Sequence, residues 1–234
     1  MNRIVRNALI GSAATAALVV GASVPAFATT SAAHPKTLAA IQASAKVKTS
    51  ARTSKLNTAI AKVTAAKDIS DADRATILGV LNGDLAGMTT VEAKIAADTT
   101  VAAAAADYKT IFTTYRVYAV AIPQARLAAG ADRMTSTTIP RLTDAQSKLA
   151  AALAGPDASK STPALQADLA DMTTQLAAAT AALSGISAQA LAVTPDAFNA
   201  NHEVLSPVRS AVKSAIADLK KAAADGHAVV GAIK

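Results

Sequence analysis

The chain is 234 residues long, carries a formal net charge of +7, and is 52% hydrophobic but only 3% aromatic. It contains no cysteine, which excludes a disulfide scaffold, Fe–S clusters, thiol catalysis and cysteine-ligated zinc. Alanine supplies 63 residues; it has the highest helix propensity and only one methyl to bury, so long, closely packed helices are favoured over a thick globular core.

Residues 1–28 read as a secretory signal. Arg3 and Arg6 form the basic region, residues 8–22 an apolar stretch, and Ala26-Phe27-Ala28 a small-residue cleavage site. The apolar stretch of about 15 residues is shorter than the roughly 20 that span a bilayer. The expected mature chain begins at Thr29, is secreted or envelope-associated, and carries +5 once Arg3 and Arg6 are removed.

Residues 29–67 hold seven basic residues and no acidic one, whereas residues 68–234 hold 14 basic and 16 acidic. This asymmetry marks a basic N-terminal helix or arm. Lys46, Lys48, Arg52, Lys55 and Lys62 are its candidate contacts to an anionic surface. The simpler alternative is a solvated basic helix leaning on the bundle. Leu38, Ile41, Ala45, Leu56, Ile60 and Val63 share one side of the helical wheel, and Arg52 intrudes on that side. Outside a bacterial cell the available partners are a cell-wall polymer, an anionic membrane surface or another envelope protein. No nucleic acid is expected.

Residues 68–234 read as an alanine-rich helical bundle. Ser70 is an N-cap followed by Asp71 and Asp73, and Ile77, Leu81, Leu85, Met88, Val91 and Ile95 recur at helical steps. A third element runs from residue 99 to 122, where Pro123 should kink or break it. Helical pattern resumes over residues 124–134 and 140–153, and Gly155-Pro156 ends it. Two heptad seams follow. The first is Leu165, Leu169, Met172, Leu176, Ala179, Leu183, Ile186, Ala190 and Val193; the second is Leu205, Val208, Val212, Ala215, Leu219, Ala222, Gly226, Val229 and Ile233. A loop over residues 194–201 joins them into an antiparallel hairpin, and the seams could also pair copies of the chain. The expected fold is all-α: an elongated bundle of about four to six long helices with coiled-coil-like seams and a C-terminal antiparallel helical hairpin.

Catalytic constellations are thin, with no phosphate loop, nucleophile elbow or zinc-protease motif. His202-Glu203 is the one adjacent histidine–carboxylate pair and reads as a cap or solvated pair. No catalytic residue, metal or cofactor is expected. Tyr108, Phe112, Tyr115 and Tyr118 cluster in one short stretch. If the helix continues past Pro123, Tyr108, Tyr115, Arg126 and Arg133 fall on one stripe, with Tyr118 nearby, suited to stack on and grip a carboxylate or phosphate. The simpler reading is that these tyrosines are the bulky centre of a bundle otherwise built from alanine, with the arginines pairing Asp132 or Asp107.

Ser70-Asp-Ala-Asp-Arg-Ala-Thr-Ile-Leu, Lys94-Ile-Ala-Ala-Asp98, Asp107-Tyr-Lys-Thr-Ile-Phe, and the run from Tyr115-Arg-Val-Tyr through Pro123 to Ala-Asp-Arg133 resemble an uncharacterised family of exported, alanine-rich helical proteins of actinobacteria and some other bacteria. The resemblance covers residues 68–153 and implies a helical protein in an envelope or secreted setting. It brings no catalytic residue with it. The expected function is non-enzymatic, through surface or protein–protein interaction. The alternative is a binding module for an anionic or glycan-like ligand, using the Tyr/Arg stripe or the basic first helix.

Overall fold

A computed structural model describes residues 37–234; the expected signal and its cleavage site lie outside the described residues. Among the described residues every element is helical, and no helix is long and apolar enough to cross a membrane. The first elements are α1 (Leu38–Ala65), α2 (Asp71–Ala97), α3 (Val101–Thr113), a π turn (Val117–Ala121) and α4 (Ile122–Arg133). A second π turn (Met134–Thr138), α5 (Ile139–Ala154), α6 (Pro163–Leu183), α7 (Ile186–Leu191), α8 (Pro195–Ala200) and α9 (Ser206–Ala232) follow. They form two compact units, residues 37–129 with 187–206 and residues 130–186 with 207–234. This division follows which segments pack together, whereas the 29–67 and 68–234 boundaries follow the distribution of charge.

In the first unit α1 and α2 form an antiparallel hairpin. Thr37, Ser70 and Thr100 cap α1, α2 and α3, each side chain accepting the N–H three residues on, typically worth about 1 kcal/mol. Gln42 near the start of α1 donates to the carbonyls of Ile95 and Ala96 at 3.2 Å, near the end of α2. Thr49 donates to the Glu92 carboxylate one level deeper. At the connection, Arg74 Nη2 donates to the carbonyls of Ala66 at 2.6 Å and Ile69 at 2.9 Å, satisfying acceptors that the end of a helix leaves open. α3 lies beside both helices: Tyr108 and Ser44 hydroxyls are 2.9 Å apart, and Lys94 pairs with Asp107 at 2.9 Å.

α3 stops at Thr113, and Arg116 adopts φ 44, ψ 36, the left-handed region. Pro123 does not break the next helix. It and Pro140 each follow an isoleucine that closes a π turn: Ile122 N–H bonds to Val117 O, and Ile139 N–H to Met134 O. A proline removes one N–H and its ring presses on the carbonyl four residues back. Both of those carbonyls sit inside a π turn, whose wider ring makes room. Two Ile-Pro steps thus produce the same local solution.

In the second unit α6 and α9 run antiparallel. Lys160, just before α6, donates to Ile233 O at 2.7 Å at the far end of α9. Further along, the Asp225 carboxyl is raised by burial, with Asp168 and Asp171 adding and Lys221 opposing. Gln175, its amide oriented to suit its neighbours, donates to Asp218 at 3.2 Å and accepts from Lys221 at 3.0 Å. α5 lies on α6, with Gln146 donating to Thr173 at 3.1 Å. Every residue of both heptad seams is buried. The first seam is not one helix, however: it breaks at Ser184-Gly185, where Gly185 has φ 69, and α8 occupies much of the expected loop.

Candidate functional site

The basic face of α1 divides into two environments. Lys46, Lys48, Lys55 and Lys62 are exposed, and none forms an ion pair among the described residues. α1 itself contains no acidic residue. Lys48, Lys55 and Lys62 recur every seven residues, which puts them on one stripe about 10.5 Å apart. Lys46 lies off this stripe. Among the described residues the exposed large apolar side chains are Val47, Val101 and Tyr118.

Arg52 does not belong to that exposed row. It is only 8% exposed and holds a core-facing position between Thr49 and Leu56, so its expected role as a surface contact is corrected. Its guanidinium carbon stands 4.7 Å from the Phe112 ring centroid and 4.9 Å from that of Tyr118. Nη1 donates to the Lys48 carbonyl at 3.0 Å, while the buried Nε has no hydrogen-bond partner. Burial lowers the Arg52 pKa, and the nearby Tyr118 and Tyr108 oppose that shift. Tyr108 packs on Phe112 with centroids 5.3 Å apart, completing the aromatic surround. Two oddities of the sequence, an arginine on an apolar helix face and a clustering of scarce aromatics, therefore explain each other. The pairing is long-range, and neither residue's neighbours in sequence announce it.

The Tyr/Arg stripe does not form as one helical face. The helix continues through Pro123, but it is interrupted at residues 114–116, so Tyr108 lies on α3 and Tyr115 beyond its end. Tyr108 faces Ser44, Tyr118 covers Arg52, and the half-buried Tyr115 ring lies on Gly87, where an added Cβ would come within 2.0 Å of Cε1. Arg126 is exposed and Arg133 half-buried, the latter in the second unit. Arg116, between Tyr115 and Tyr118 in sequence, turns to other partners: its Nε donates to Asn199 Oδ1 at 2.7 Å and its guanidinium lies 5.3 Å from the Phe198 centroid.

An open groove of about 940 Å³ runs between α1 and α2, lined by Ser50, Thr53, Ser54, Asn57, Thr58, Thr89 and Glu92 with two alanines. Its side chains are small and polar, and no aromatic residue lines it. His202 is exposed and stacks on Phe198 at 4.9 Å, while Glu203 accepts from Ser206. Among the described residues no group of three or more histidine or carboxylate side chains is placed to hold a metal ion. Burial raises the Asp84 carboxyl to about 6. Comparison with known protein families, with curated proteins and with solved structures finds no match for this chain.

Proposed function

We propose that this is a non-enzymatic helical protein of the bacterial envelope that acts by interaction, holding an anionic wall polymer through the lysine row of α1. The observation that carries this reading is the placement of Lys48, Lys55 and Lys62: exposed, evenly spaced, on a helix without acids, and without ion pairs among the described residues. Lysines at that spacing present repeated point charges to an extended polyanion. Among the described residues only Val47 on this helix is a large apolar side chain open to solvent, which favours a water-borne polymer over insertion into a bilayer. Pairing of copies through the heptad seams has less support, because the seam residues are buried within the chain itself.

Two measurements test the reading. The N-terminus of the exported protein should be Thr29; a membrane-held chain that retains Met1 would overturn cleavage after Ala28. Retention on isolated envelopes should fall steeply as salt rises, because the Debye length shrinks from about 10 Å at 0.1 M to about 3 Å at 1 M. Reversing Lys48, Lys55 and Lys62 to glutamate should abolish retention at low salt. Retention that survives both treatments would shift the interaction to another surface, such as the groove between α1 and α2.

A further inference from the structure

We propose that the Arg52 guanidinium is the receptor for a single oxyanion group, phosphoryl or carboxylate, bound at its Nη2 edge between Lys48 and Lys55. Arg52 is a permanent positive charge, and the protein supplies it with no negative partner among the described residues. Buried charges are ordinarily paired, since an isolated one loses its hydration without return. Here the rings of Phe112 and Tyr118 flank the cation, and one N–H goes to the Lys48 carbonyl. That surround fixes the guanidinium and attracts it electrostatically, yet supplies no counter-charge. Nη1 is engaged and Nε is enclosed, so the Nη2 edge is the side left for a ligand. Tyr118, whose ring centroid lies 4.9 Å from the guanidinium carbon, is itself 38% exposed, so the cation sits beneath a side chain of the surface. Lys48 and Lys55 stand four residues before and three after Arg52, on the neighbouring turns of the same helix, and both are exposed. A guanidinium held rigid away from bulk water forms short, charge-assisted bonds to an oxyanion. This is one discrete site that needs no polymer, so it goes beyond the lysine-row reading, and either can fail while the other holds.

The test is NMR of the 15N-labelled chain, following the Arg52 Nε–H resonance, which is identified by its loss in Arg52→Lys. Sodium phosphate and sodium acetate are titrated separately, with sodium chloride at matched ionic strength as reference. A saturating shift with phosphate alone assigns a phosphoryl group, with acetate alone a carboxylate, and with both a general oxyanion site. An equal shift in chloride, or no saturable shift in either titration, overturns the proposal. Arg52→Lys keeps the charge but loses the planar fork, so the rise in Tm that phosphate or acetate gives the parent should need about tenfold more anion. A variant that responds like the parent also overturns the proposal. Should Arg52→Lys fail to fold, the double variant Lys48→Ala/Lys55→Ala changes exposed residues only, identifies the same resonance through its weakened titration, and must bind more weakly than the parent.

Discussion

Arg116 shows how a single residue can be held against its own preference. Its left-handed backbone, φ 44, is unfavourable for a side chain with a Cβ. The hydrogen bond of its guanidinium to Asn199 and its stacking on Phe198 keep it there. Arg116→Ala loses those contacts and keeps the strain, whereas Arg116→Gly loses the contacts and relieves it. Thermal melts should therefore rank Arg116→Ala below Arg116→Gly by about 1 kcal/mol. Gly87 is constrained from the other direction, by space. Gly87→Ala places a methyl into the Tyr115 ring, and overpacking of this kind typically costs about 1–3 kcal/mol, so its Tm should drop clearly. Asp84 titrates at about 6 in the fold against an ordinary 3.8. Between those values the folded chain holds more protons than the unfolded one, so stability falls as pH rises and the penalty is complete above about pH 6. Asp84→Asn, which stays neutral, should raise Tm at about pH 7.5 and leave it unchanged near pH 3.5. A gain equal at both values would assign the effect to packing instead of charge.

At the scale of elements, the heptad seams were the most legible part of the sequence. Leu176 and Leu219 sit at the centres of the two runs, and both are buried. Leu→Ala in a core typically costs about 2–5 kcal/mol; in a seam lined partly by alanine the lower half of that range is expected. Melts of Leu176→Ala and Leu219→Ala should both shift downward, and unchanged melting in both would mean that the seam does not bear on stability. Apolar spacing fixes which face is buried but not whether the backbone is continuous. That is why Gly185 could divide the first seam without disturbing the burial of Ile186, Ala190 and Val193. The interruption at residues 114–116 was hidden for the same reason: Val117, Val120 and Ile122 continue an apolar pattern across it. At Pro123, where its chemistry leads one to expect a kink or a break, the preceding turn widens into a π turn and the helix runs on.

For the molecule as a whole, charge is the property that sequence states most directly and folding sorts most severely. Of the five basic residues on α1 expected to meet an anionic surface, four remain exposed and Arg52 turns inward to the aromatics. Exposed charges contribute little to folding, so Lys48→Glu, Lys55→Glu and Lys62→Glu together should leave the far-UV circular dichroism spectrum helical and the Tm nearly unchanged. A variant that unfolds would show that the row bears on packing. The sequence by itself determined the helical class, the cap at Ser70, the buried seams and the basic character of α1, because each depends on residues close together along one helix. Only the tertiary structure decided that Arg52 meets Phe112 and Tyr118, that the tyrosines face three different neighbours, and that residues 187–206 pack with the first unit. Those outcomes depend on which distant helices approach each other. An alanine-rich surface allows such approaches almost anywhere, so the few bulky or charged side chains that must be accommodated determine where they occur.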